Sequence, residues 1–210
     1  ENEKLKRIEF GFNTHYLNEA DKNAKALEQI NVDNFYKVRA FEPFTDSLSE
    51  NLSLLISKIK FIQNYDFELM LSLSDFIWKT DLDTTKRTVS ESNRKFINEA
   101  LKYTNRFPPN DENAYKLFLK TVMDSLQKND CLKSMHFEIG NEPDADRYFW
   151  GNAEDWKKVV VLISDVLKSY NVPFSCCGFS SDLVFLKSDE RAPFIDYINS
   201  AEFTANTNFS

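Results

Sequence analysis

Residues 136–144 read His-Phe-Glu-Ile-Gly-Asn-Glu-Pro-Asp. The alternation at the start of this run is that of a strand. It stops at the polar pair Asn141-Glu142, and Pro143, with no backbone N–H to donate, forbids continuation. A carboxylate placed just past a strand end can serve as a general acid or base if its surroundings keep it protonated near neutral pH, which takes desolvation or a nearby negative charge. The alternative is a solvated glutamate that opens an ordinary loop. Asn141 beside it offers both donors and an acceptor. Arg39 lies near the end of an earlier strand, in Lys37-Val38-Arg39-Ala40-Phe41. Its planar fork can hold a carboxylate through two bonds and keep it ionised. The other reading of Arg39 is a structural ion pair, with Glu138 as partner. Asn13 and His15 follow the first strand, and Asp75 follows the third; each can hold hydroxyl groups by directed hydrogen bonds. Trp78 and Trp150 sit in loops just past strand ends, where flat rings either stack on a ligand or anchor the loop.

These residues depend on a regular succession of elements. Strands are expected over Ile8–Asn13, Tyr36–Phe41, Phe67–Ser74, Met135–Asn141 and Phe174–Ser180, with a weak sixth over Phe203–Asn208. Helical stripes fill the intervals. Leu52, Leu55, Ile56, Ile59 and Ile62 form one, opened by Ser47 with Glu50 three residues on. Trp156, Val159, Val160, Ile163 and Leu167 form another, opened by Asn152 and closed near Asn171 before Pro173. The third crossover carries two helices, near Ser92–Tyr103 and Glu112–Gln127, on either side of Pro108-Pro109. Pro193 suits the first turn of a helix after the fifth strand. Alternating strands and helices imply a mostly parallel sheet, either a barrel or an open doubly wound sheet. Phosphate-cradling glycine motifs are absent, which weakens nucleotide binding. Strand-end carboxylates favour the barrel. Gly11 and Gly140 fall inside predicted strands, where a glycine marks close approach by another group.

Composition narrows the class. The chain has 210 residues, 42% hydrophobic and 28% charged, which suits one folded domain over 1–210. Its formal net charge of -7 argues against nucleic acid as a partner. No apolar run is long enough to span a bilayer. Three cysteines, two of them adjacent at Cys176 and Cys177, form neither a disulfide framework nor a metal spacing. With two histidines, a histidine-based metal site is not expected, and no cofactor is implied. The residues name no oligomeric state.

The run Phe137-Glu138-Ile139-Gly140-Asn141-Glu142-Pro143-Asp144, with Tyr148-Phe149-Trp150 after it, resembles the fourth-strand region of clan A glycoside hydrolases, the retaining (β/α)8 glycosidases. It is similar to family 39, while the Gly140-Asn141-Glu142-Pro143 wording is similar to families 79 and 51. Family 39 usually has tryptophan where Gly140 stands, so the space beside the acid should be roomier or filled from another loop. The resemblance implies a TIM-type (β/α)8 barrel with about six of its eight units in this chain. It makes Glu142 the general acid/base and Asn141 a contact for a sugar 2-hydroxyl. Arg39 would hold the nucleophile, with Asn13, His15, Asp75, Trp78 and Trp150 as further contacts to a carbohydrate substrate. The clan's nucleophile is a glutamate at the seventh strand, expected beyond the end of this chain. The resemblance also implies a secreted, periplasmic or cell-surface protein. A non-hydrolytic carbohydrate-binding relative is the alternative, and an α/β enzyme of unrelated chemistry a further one.

Overall fold

The computed structural model describes residues 10–14, 35–41, 48–64, 68–73, 109, 111–145, 148–149, 151–176 and 192–207. Within these ranges, side chains are described from Leu52 to Thr204. Five strands appear in chain order: β1 Phe10–Thr14, β2 Phe35–Phe41, β3 Glu68–Ser72, β4 Met135–Ile139 and β5 Phe174–Cys176. They pair only with their neighbours in sequence, in the order β1-β2-β3-β4-β5, and every pairing is parallel. A doubly wound sheet reverses its order at a switch point, whereas a barrel winds in one direction. The observed order is the singly wound one.

The helices are α1 Leu48–Gln63, α2 Glu112–Lys128, α3 Ala153–Ser169, α4 Ala192–Ile198 and α5 Ala201–Thr207. Their ends follow local chemistry. Asp111 caps α2 by accepting from the Ala114 N–H at 2.9 Å, which satisfies one orphan donor of the first turn. Asn152 and Asp155 cap α3 reciprocally, at 3.0 and 3.2 Å. Acidic Glu154 and Asp155 open α3 and Lys168 sits in its last turn, the order that complements the helix dipole.

One sheet face is apolar. Leu69, Leu71, Met135, Phe137 and Ile139 are buried on it, and the helices pack there. Leu55, Ile59 and Ile62 of α1, Leu119, Val122 and Leu126 of α2, and Val160, Ile163 and Leu167 of α3 complete this core. Burying a side chain as large as Phe137 contributes roughly 2–3 kcal/mol. The residues between them belong to the opposite face: Met70 and His136 are half-buried, while Ser72 and Glu138 are buried. Ser72 pairs in register with Glu138, and Glu138 with Ser175.

The expected elements hold with two corrections. Two strands end earlier than the apolar runs do: β3 stops at Ser72 and β4 at Ile139, while residues 177–180 of the expected fifth strand lie outside the described residues. The sixth strand is not a strand. Residues 201–207 form α5, with the Ser200 hydroxyl accepting from the Phe203 N–H at 3.1 Å as an N-cap. Phe203 is buried against Tyr197 at a ring separation of 5.4 Å, so its apolarity serves a helix pair. Ser47 and the helix expected near Ser92–Tyr103 lie outside the described residues. No described helix is long and apolar enough to cross a membrane.

Helices α2 and α3 are tied by Tyr170, which follows α3 and donates its hydroxyl to Asp124 at 2.6 Å. Burial, aided by that carboxylate, pushes the Tyr170 phenol up to about 12. The folded state therefore holds this proton more tightly than the unfolded chain, whose tyrosines titrate near 10. The associated stability is complete below about pH 10 and is lost as pH rises through about 12. Stability of the native chain should fall over that window more steeply than stability of Tyr170→Phe, as measured by urea unfolding at a series of alkaline pH values.

Candidate active site

Because all strands are parallel, their carboxyl ends lie on one side of the sheet. Glu142 stands three residues past the end of β4, on that side. The path to it is a sequence of tight turns. The Gly140 N–H donates to the Glu138 carbonyl at 3.1 Å, closing a three-residue turn around Ile139. Gly140 then has φ +74°, the left-handed region that glycine enters without penalty. Glu142 has φ +42°, where a side chain with a Cβ is strained. Pro143 follows at the second position of a turn closed by the Ala145 N–H to the Glu142 carbonyl at 2.9 Å. Backbone strain of this kind persists only where the surroundings over-determine it, and it gathers at functional sites.

The surroundings here are dense. Asp144 is fully buried and Phe149 is 2% exposed, while Asn141 and Glu142 are half-buried. Gly140 faces the indole of Trp156, in the first turn of α3. A Cβ built on Gly140 would collide with Trp156 Cη2 and lie 3.0 Å from its Cζ3. Phe149 meets Trp156 edge-on, with centroids 5.4 Å apart at 70°. Gly151 is tight for the same reason, since a Cβ there would lie 2.7 Å from a Phe149 ring carbon. The space at a Gly140 Cβ is thus taken by a helix residue, Trp156.

Asn13 is paired with Arg39 across β1 and β2, Arg39 with Met70, and Met70 with His136, so these four positions form one row across the sheet. For Asn13 and Arg39 the strand register is what the structure describes. Glu138, one row nearer the strand ends than His136, is 5% exposed and buried next to Ser72 in register. Its burial favours an internal polar position over a catalytic one, since a buried charge is kept by partners. His15, Asp75, Trp78 and Trp150 lie outside the described residues. Glu202 is a surface residue of α5 paired with Lys157 at 2.7 Å. Cys131 is buried and free, and burial pushes its thiol up, away from reactivity. Trp156, which looked like one member of an apolar stripe, escaped the sequence reading as a neighbour of this turn.

No family model matches the chain, and no curated protein does. Solved structures do. The GH5_18 protein from Bifidobacterium longum subsp. longum ATCC 55813 superposes with a TM-score of 0.53 at 13% identity, over 89% of this chain and 46% of that one. A variant of that protein in complex with Manβ1-4GlcNAc gives a TM-score of 0.53 at 14% identity, over 90% of this chain and 46% of its own. At such identity the likeness is one of fold. Both neighbours are TIM-barrel glycoside hydrolases of clan A, and the likeness agrees with the expected α/β fold built on a parallel sheet. They carry the GH5_18 name, where families 39, 79 and 51 were expected. The chain spans about half the length of these structures.

The left-handed backbone of Glu142 makes a prediction about stability. Asparagine tolerates this region far better than glutamate. Glu142→Asn should raise the unfolding free energy, by on the order of 1 kcal/mol. Urea unfolding of the two chains checks this, and a clear loss of stability would mean that the glutamate backbone is not strained.

Proposed function

We propose that the protein carrying this chain is a retaining glycoside hydrolase in which Glu142 is the general acid/base. The observation that carries the reading is the placement of Glu142: half-buried, in a strained turn, just past the fourth strand of a singly wound parallel sheet. The likeness of fold to GH5_18 glycoside hydrolases over 90% of the chain supports it. In this reading Glu142 protonates the leaving oxygen of the glycosidic bond, then takes the proton from the water that hydrolyses the glycosyl-enzyme. Asn141 holds the sugar 2-hydroxyl. The second carboxylate, the nucleophile, is expected in the half of the fold that this chain does not span, about 5–5.5 Å from Glu142 as retention requires.

The substrate class is a β-linked glycoside of a glycan or glycoconjugate. A β-mannosyl disaccharide is the first to test, because one neighbour is in complex with Manβ1-4GlcNAc. Arg39, two residues from the end of β2, would hydrogen-bond the nucleophile and keep it ionised.

Two substitutions in the full-length gene product test these roles. Glu142→Gln should lose turnover on substrates with poor leaving groups and keep faster glycosylation of activated aryl glycosides, which need little protonation. Deglycosylation should then be slow, and azide should partly rescue it. Equal losses on both substrate types, without an azide effect, would remove Glu142 from the role. Arg39→Lys keeps the charge and loses the planar fork. Turnover should drop about tenfold or more, equivalent to roughly 1.4 kcal/mol, with the melting temperature little changed. Preserved turnover per folded molecule with lowered stability would make Arg39 a structural ion-pair residue.

A further inference from the structure

We infer that Trp156 is a positioning residue for Glu142, acting through Gly140. This rests on the acid/base reading of Glu142 and adds a residue to it. Three features converge on the contact. The indole is buried, at 4% exposure, and is located from three sides. Its backbone N–H bonds the Asn152 carbonyl at 3.0 Å, the Asn152–Asp155 capping box sets the start of its helix, and Phe149 packs edge-on against its ring. Its Nε1 makes no hydrogen bond in the described structure, so packing alone fixes the ring. The far edge of that ring then occupies the space where any residue other than glycine would carry its Cβ.

Gly140 is the torsionally freest residue of the turn, and it lies two residues before Glu142. A change in its dihedrals swings everything after it until Pro143 stiffens the chain. The carboxylate of an acid catalyst must be placed to well under 1 Å, since an error of that size can cost about a hundredfold in rate. A rigid ring against the Gly140 Cα removes this freedom without putting any side chain into the substrate space. The ring and the left-handed φ of +74° together explain why position 140 is glycine, and the ring accounts for how a strained Glu142 is held.

The test uses the full-length gene product and two variants that approach the contact from opposite sides. Trp156→Phe keeps an aromatic ring beside Phe149 but withdraws the edge that touches Gly140. Gly140→Ala pushes against that edge. Each should lower kcat about tenfold on glycosides with poor leaving groups and much less on activated aryl glycosides, with KM little changed. The alkaline limb of the pH profile should move, because the acid has been displaced. Amide hydrogen exchange should quicken over residues 141–145 in Trp156→Phe and stay unchanged in the middle of α3. The double variant should recover turnover relative to Gly140→Ala alone, because the shortened ring leaves room for the methyl group. Losses that are equal for both substrate classes, with unchanged exchange in the turn, would make Trp156 a core residue only and leave the role of Glu142 standing. Quickened exchange in Trp156→Phe, with no leaving-group dependence in Glu142→Gln, would overturn the catalytic premise instead. Were Trp156→Phe poorly folded, additive losses between it and Gly140→Ala would equally refute the contact.

Discussion

Phe137 and Glu138 are consecutive residues, both almost fully buried, and they need opposite surroundings. The strand period of two resolves this by sending them to opposite faces. On one face Phe137 joins Leu69, Leu71 and Ile139 beneath the helices. On the other, Glu138 lies in a row with Ser72 and Ser175. A one-residue slip of β4 against β3 would bring the glutamate under the helices and the phenylalanine among the polar groups, so the register is firmly specified. Everything at the carboxyl edge inherits that register. The three residues from Ile139 to Asn141 carry it forward to Glu142.

At the edge itself the control passes from ladder hydrogen bonds to turns and packing. The bond from Gly140 to the Glu138 carbonyl bends the chain out of the strand, and the Glu142–Ala145 turn bends it again. Between them stand two residues in the left-handed region, only one of them glycine. Such a path has little intrinsic stability. It is held because the aromatic pair Phe149 and Trp156 fills the space behind it, and because the reciprocal Asn152–Asp155 cap fixes where α3 begins. The fold thus places a strained segment against a helical turn fixed by a reciprocal cap.

Much of this could be read in the residues. Apolar periodicity located α1, α2 and α3, and Asn152 marked the start of α3 because its side chain competes for helical N–H groups. Gly140 was visible as a site of close approach, since glycine in a strand has few other reasons to be there. The approaching group was not visible, because Trp156 lies sixteen residues on and its partner is set by tertiary packing. The left-handed backbone of Glu142 was also hidden, as glutamate carries no preference for it. Phe203 misled: one buried aromatic between small and polar residues suits a strand or a short helix, and the Ser200 cap with Tyr197 as a packing partner decided for the helix. The Asn-Glu-Pro run pointed to a parallel α/β fold with a carboxylate at a strand end, and the neighbours share that fold; their GH5_18 name was not legible, because one strand end carries too few residues to separate families.

Trp156 is followed directly by Lys157, which stands about 100° further round the helix. While Trp156 turns inward to Gly140, Lys157 reaches outward to both oxygens of Glu202, at 2.7 and 2.8 Å, with its ammonium 5.9 Å from the Tyr197 ring centroid. One helical turn is therefore gripped from two sides, by the end of the fourth strand and by the last described helix. In mechanical terms it is a spar shared by two struts. The turn that leads to Glu142 is thereby connected to residues near 200 in the chain as well as to the sheet beneath it, through the adjacent residues Trp156 and Lys157.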